Sequence, residues 1–338
     1  MILDKDWTDL LERFAALGGI AENVCQREGE YGRGIFPIDP SCRSKVMTPK
    51  NLLIKRENIG IYDGEIIIKD GSCFSVEEKT FLEFYYNNFS WGNNGNCDSA
   101  NFLKFISSIS EPVKSTLFSY GFVDKDLLDF SGDEGHLLKR FIDERAVTFS
   151  GDSVIAPVWE FINHSSFSAP LRITPFGVET PPIDSGSGEV LFKYSGKNSP
   201  MSMWRKYGFA CRCIVAYSIP FAININHEFH CIKCSGQQVL APKENKSFAL
   251  GIDSILIKSL PVGCLSRTLP FSHFNSILSS VGISVEVAKR LFPKVQEINI
   301  RARSDLLYSL QDTVLGSQTE LYKALTYEIE LIQSSTYG

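Results

Sequence analysis

The period of the hydrophobic pattern changes four times along the 338-residue chain, and that order is what most limits the fold. Residues 5–18 read as an amphipathic helix with Trp7, Leu10, Leu11, Phe14 and Leu17 on one side, ended by Gly18-Gly19. Two short strands follow, "GRGIFPI" and the region Lys45–Met47, punctuated by Pro and Ser. "GIYDGEIIIKDGSCFS" (residues 60–75) adds turn and strand. From about Val76 to Arg145 the spacing is helical. "VEEKTFLEFYYNNF", "ANFLKFISSI" and "GHLLKRFIDER" each set apolar residues three and four apart. β character returns in "SVIAPVWEFI", "APLRITPFGVE" and "GEVLFKY". From about Leu269 the pattern is helical again and ends in a stripe of Leu321, Leu325, Ile329 and Ile332. Segregated runs of this kind predict an α+β fold with inserted or appended helices, not an alternating doubly wound sheet.

The chain is long enough for two domains, or for one domain with a large insertion. Its 43% hydrophobic and 12% aromatic content excludes wholesale disorder. A net charge of −5 argues against a general binder of nucleic-acid backbone. The opening "MILDKDWTDLLERF" has acidic residues where a signal peptide has a basic head. No stretch approaches the roughly 20 apolar residues of a membrane span. Nine scattered cysteines without such a signal are expected in a reduced, cytoplasmic compartment, with a nuclear location open for a eukaryotic source.

Four stretches carry potential chemistry. "GEYGRG" (residues 29–34) is followed by the β-like, proline-broken "IFPIDP", so it lacks the helix N-terminus of a dinucleotide loop. It reads as a tight turn, or as glycines that let a ligand lie close to the backbone. "HEFHCIKC" (residues 227–234) holds two His and two Cys, and Cys211 and Cys213 offer a second pair. Four ligands on one alternating segment suit a zinc site poorly, so a strand with incidental Cys and His is favoured and no metal is expected. "KYSGKNSPMSMWRKYGF" (residues 193–209) follows a strand in which Val190, Phe192 and Tyr194 share a face. "FINHSS" (residues 161–166) sets Asn163 and His164 behind an apolar run. Each stretch alone also has a plain structural reading, as core aromatics or satisfied polar groups.

Taken in order, "GRGIF", "RAVTFS", "FINHSS", "GEVLFKYSG" and "KYGF" resemble the SET-domain methyltransferases, and among them the Rubisco large-subunit methyltransferase branch. That branch includes related protein-lysine and actin-histidine methyltransferases. The resemblance covers about residues 5–210, and the helical tail only by position and character. It implies a SET-domain β-fold of short strands with a knot-like crossing, a helical insertion and a C-terminal helical domain. The expected divisions are 1–75 for the first helix and first part of the SET domain, 76–147 for the insertion and 148–210 for the second part with the active site. A β-rich connection over 211–268 and a helical, substrate-binding-like domain over 269–338 complete the chain.

The resemblance also implies site residues. Asn163 and His164 match the pair lining an S-adenosylmethionine pocket. Tyr31, Gly32, Arg33 and Gly34 match the turn that holds the cofactor's methionine part. Arg145 matches the Arg closing the insertion, Glu160 stands where relatives usually have Asp, and both are expected at the cofactor together with Tyr194, Tyr207 and Phe209. Tyr194 matches the catalytic tyrosine. Tyr207 and Phe209 match aromatic walls, and Trp204 joins Tyr194 and Tyr207 as a substrate-channel candidate. One departure is Pro200, which replaces the Asn of a Ser-Asn pair and leaves Ser199 alone. No Cys-rich zinc motif follows, which fits this branch.

The implied activity is methyl transfer from S-adenosylmethionine to a lysine amine of a protein, with S-adenosylhomocysteine as product. The partner would be a basic tail or a folded protein, with no direct nucleic-acid or membrane contact. Two alternatives stay open: a SET-fold binding or regulatory protein without activity, and transfer to histidine or a small amine.

Overall fold

The computed structural model describes residues 5–30, 32–71, 73–129, 133–181, 188–194, 198–224, 232–234, 248–250, 254–265, 268–311 and 319–335. The chain divides into two compact units. Unit 1 comprises residues 1–103 and 131–196, and unit 2 comprises 104–130 and 197–338. The divisions between them fall at 103/104, 130/131 and 196/197.

Among the described residues the helices are α1 (Lys5–Ala16), α2 (Val76–Phe89), α3 (Asn96–Ser108), α4 (Glu111–Ser119), α5 (Lys125–Leu128), α6 (Glu134–Arg145), α7 (Pro200–Tyr207), α8 (Thr268–Ser279), α9 (Val285–Gln311) and α10 (Glu320–Ser334). No helix among these residues is long and apolar enough to cross a membrane. Helix α2 starts where the period changes because Ser75 and Glu78 form a reciprocal capping box, each side chain bonding the other's backbone N–H. Helix α1 stops before Gly18, which takes φ +89°, a conformation that costs glycine little.

The strands of unit 1 are β1 (Ile20–Glu22), β2 (Val24–Gly29), β3 (Gly32–Pro37), β4 (Lys45–Pro49), β5 (Ile54–Lys55), β6 (Ile59–Tyr62), β7 (Glu65–Ile68), β8 (Val147–Phe149), β9 (Asp152–Ile155), β10 (Asn163–His164), β11 (Arg172–Thr174), β12 (Gly177–Glu179) and β13 (Leu191–Phe192). They form small sheets: β1-β4-β12-β11, β5-β9-β8, and the pairs β2-β3, β6-β7 and β10-β13. Only β10-β13 is parallel, with Asn163 opposite Leu191 and His164 opposite Phe192. Trp7, Leu10 and Phe14 of α1 are buried with Phe81, Leu82, Tyr85 and Tyr86 of α2 and with Trp159, Phe161 and Phe192. Each large apolar side chain so buried stabilises the unit by roughly 1.5–3 kcal/mol.

Unit 2 adds β14 (Val215–Tyr217), β15 (Phe221–Asn224), β16 (Ile232–Cys234), β17 (Phe248–Leu250), β18 (Ser254–Ile257) and β19 (Pro261–Cys264). These make the sheet β16-β15-β18-β17 and the pair β14-β19. Helix α8 packs on α9 and β19, and α9 on α10 and α4. The contact of α4 with α9 explains why part of the insertion joins this unit. Of the His/Cys-rich stretch, residues 227–231 lie outside the described residues, and Ile232–Cys234 is strand.

Two buried charges make unit 2 unusual. Arg303 and Glu328 are 0% and 1% exposed. Arg303 Nε donates to Glu328 Oε2 at 2.7 Å, and Nη2 lies 2.6 Å from the same oxygen. Nη1 donates to the backbone O and to Oδ1 of Asn299, both at 3.0 Å, and Nη2 to Tyr217 O at 2.6 Å. Glu328 Oε1 accepts from the Met201 amide at 3.2 Å. The expected stripe on α10 therefore has a carboxylate in its buried face, while Ile329 is only half-buried.

Candidate functional site

The site in unit 1 begins with the backbone before Asn163. Val158 holds φ +65°, a rare state for a β-branched residue that costs on the order of 1–3 kcal/mol. It turns the chain out of β9 into the tight turn Trp159–Phe161, which delivers Asn163 and His164 to the side of β13. Strand alternation then sends their side chains to opposite faces.

Asn163 meets the β2-β3 hairpin. Its Nδ2 donates to Arg33 O at 3.2 Å and to Glu189 Oε1 at 2.6 Å. Both partners are pure acceptors, which fixes the amide orientation and leaves Oδ1 as an acceptor. The hairpin pairs Gly29 with Gly32, and Gly32 takes φ +84°. Tyr31 lies outside the described residues.

His164 is buried and meets Tyr194. The Tyr194 amide donates to His164 Nδ1 at 3.1 Å, and Nε2 lies 3.0 Å from Ser166 Oγ. A backbone amide can only donate, so Nδ1 is the bare nitrogen and the proton sits on Nε2. The two rings pack with centroids 4.8 Å apart, and Phe192 lies 4.6 Å from Tyr194 on the expected shared face. Tyr194 is half-buried, and its hydroxyl donates to Ile162 O at 3.1 Å. The phenol proton is thereby directed at the backbone just before Asn163, and the oxygen's lone pairs are its acceptor side.

Arg33 joins this cluster to a second, deeper one. Its carbonyl holds Asn163, while its guanidinium stacks over Phe161 at 4.7 Å. Burial pushes its pKa down, opposed chiefly by the nearby Tyr85 and Glu160. Glu160 Oε1 accepts from the Tyr85 hydroxyl at 2.7 Å, and Oε2 lies 3.7 Å from Arg145 Nε. Arg145 also donates to Glu144 at 3.1 Å and stacks on Phe141. Arg140 Nε and Ser99 Oγ donate to the same Glu144, at 2.6 and 2.8 Å.

The Glu160 side chain is 1% exposed. Burial raises its pKa, with Arg145 the main opposing influence. It braces α2 against the turn that carries Asn163. Tyr85, supplied by a helix 75 residues upstream, is what buries it.

The aromatic candidates lie in unit 2. Trp204 is 1% exposed and lies in the interior with Met201 and Met203. Tyr207 and Phe209 are partly exposed neighbours with ring centroids 6.1 Å apart, and burial raises the Tyr207 hydroxyl pKa. Unit 2 also holds a cleft of about 560 Å³ lined by Tyr120, Ser202, Lys258 and His273 among others, but not by Trp204, Tyr207 or Phe209. Pro200 has a local explanation. Ser199 and Ser202 form a capping box at the start of α7, and Pro200 takes a first-turn position whose missing N–H costs nothing.

The residue that motif reading missed is Glu189. Its carboxylate lies over the hairpin, so close that a Cβ on Gly34 would sit 2.0 Å from Oε1 and one on Gly29 3.2 Å from Oε2. Those glycines give room to a side chain of the chain itself. The available signal was "GE" directly before the strand that carries Phe192 and Tyr194.

No family model and no curated protein matches the sequence. Among solved structures, the SET domain of LSMT bound to lysine and AdoHcy is 12% identical, with a TM-score of 0.42 over 97% of this chain and 89% of that one. Rubisco LSMT bound to AdoMet is 11% identical, with a TM-score of 0.44 over 98% and 91%. The SET domain of LSMT bound to MeLysine and AdoHcy is 15% identical, with a TM-score of 0.44 over 98% and 92%.

Proposed function

We propose that this chain is an S-adenosylmethionine-dependent protein methyltransferase that acts on a lysine amine and releases S-adenosylhomocysteine. One observation carries the reading: four separated motifs, "GRG", "NHS", "GEV" and "KYS", interlock through Asn163, His164 and Tyr194. The polar surface made by Asn163, the Arg33 carbonyl and the hairpin backbone fits the methionine end of such a cofactor. Tyr31, Gly32, Arg33, Gly34, Asn163 and His164 would hold it. Bound there, the cofactor supplies an electrophilic methyl group.

The protein's own work is then to bind, align and exclude water. His164, fixed as one tautomer, sets the backbone position of Tyr194. The Tyr194 hydroxyl keeps its proton on Ile162 O, so its oxygen can accept from an incoming amine and orient it. Loss of hydration beside the half-buried Tyr194 ring disfavours an ammonium, which favours the neutral, nucleophilic amine. Tyr207 and Phe209 are proposed as further aromatic walls. A basic tail or a folded protein is the proposed acceptor, and the compartment proposed is the cytoplasm.

The first test is calorimetric titration with S-adenosylmethionine and S-adenosylhomocysteine, on the wild type and on Asn163→Ala. Micromolar binding weakened at least about tenfold by the substitution is the expected result, since each lost charge-free hydrogen bond is worth about 1 kcal/mol and Asn163 anchors several groups. Absence of binding to either ligand by the wild type would overturn the reading.

Gly34→Ala gives an independent check. The backbone there is ordinary strand, and the atoms a Cβ would meet within 3 Å belong to the side chains of Glu189 and Asn163. Thermal unfolding should therefore shift by no more than the equivalent of about 1 kcal/mol. Cofactor affinity should fall much more, because both side chains are displaced. Equal loss of stability and affinity would show that Gly34 serves folding alone.

A further inference from the structure

Resting on the reading above, we infer that Glu189 is the counter-charge for the α-ammonium of the cofactor's methionine end. The carboxylate is half-buried, and its hydrogen bond at 2.6 Å comes from a neutral amide, Asn163 Nδ2. A half-exposed carboxylate held by a neutral donor gains a stronger, charge-assisted bond when a cation joins it. Among the described residues, Glu30 repels it and Arg27, whose guanidinium is stacked at 4.1 Å over Phe36, attracts it.

The acceptors around this point match an ammonium. Glu189 supplies a carboxylate against Gly34, Arg33 supplies a backbone carbonyl, and Asn163 Oδ1 is the acceptor left when its nitrogen serves the other two. An ammonium has three N–H donors and no acceptor. A carboxylate at the same place would face like charge. The two glycines matter here, because Gly34 and Gly29 leave the space in which the Glu189 carboxylate lies against the hairpin.

The test is titration of wild type and Glu189→Gln with S-adenosylhomocysteine and with its analogue lacking the α-amino group. A charge-assisted contact predicts a loss of roughly 10- to 100-fold in S-adenosylhomocysteine affinity for the variant. The des-amino analogue should bind the wild type less tightly by a similar factor, and should bind the variant equally well. Unchanged S-adenosylhomocysteine affinity in Glu189→Gln would overturn the assignment. So would an equal loss for both ligands, which marks a structural role only. If the wild type binds neither ligand, the methyltransferase reading itself fails and this inference with it.

Discussion

Tyr194→Phe should lower methyl transfer by roughly 10²- to 10³-fold, the usual effect of removing one positioned polar group from a reacting centre. The ring is expected to stay. Phe keeps the contacts with His164 and Phe192, and the amide that donates to His164 Nδ1 is backbone. What disappears is the hydroxyl and its bond to Ile162 O, worth about 1 kcal/mol of stability. The variant should thus remain folded and bind S-adenosylhomocysteine within a few-fold of the wild type. Incorporation of a tritiated methyl group into the proteins of a cell extract, beside a calorimetric titration, measures both quantities. Near-normal incorporation by the variant would remove Tyr194 from the chemistry and leave it a core tyrosine. Loss of binding together with turnover would place it in the cofactor site instead.

The largest expected effect on stability lies in unit 2. Arg303→Met leaves Glu328 as a buried carboxylate with no cation, and about 3–5 kcal/mol of stability should be lost. The cost arises from the orphaned charge, not from the value of the pair. Arg303→Met combined with Glu328→Leu should therefore recover most of the loss, although the Met201 amide and Tyr217 carbonyl lose their partners. Denaturant unfolding of the full-length chain, comparing both variants with the wild type, decides this. A double variant as unstable as the single one would show that the network's hydrogen bonds, rather than its charge balance, hold the elements together.

Much of the architecture was legible because its causes are local. The apolar spacing of "VEEKTFLEFYYNNF" coincides with α2, and Ser75 with Glu78 marks its start. The hairpin of β6 and β7 follows from "YDGE", where Asp63 and Gly64 both take positive φ as a tight turn requires. The order of motifs points to Asn163, His164 and Tyr194, and the structure sets His164 against Tyr194 and Asn163 against the hairpin of β2 and β3. The fate of the charged residues was not legible. Glu160 was expected at a ligand and lies buried on Tyr85. Glu189 was passed over and lies against Gly34 and Asn163.

The sequence by itself determined the period changes, the caps and turns, and hence the α+β order of elements and the short strands around Asn163 and Tyr194. Each of those depends on residues within one or two turns of each other, so a linear reading contains the cause. Long-range packing set the enclosure of the Glu160 side chain, the burial of Glu328 and Trp204, the seat of Glu189, and the place of residues 104–130 in unit 2. A carboxylate looks the same in a sequence whether water or an arginine from another helix compensates it. The difference is the long-range partner: Arg303 for Glu328, Tyr85 and Arg145 for Glu160, and the Asn163 amide for Glu189.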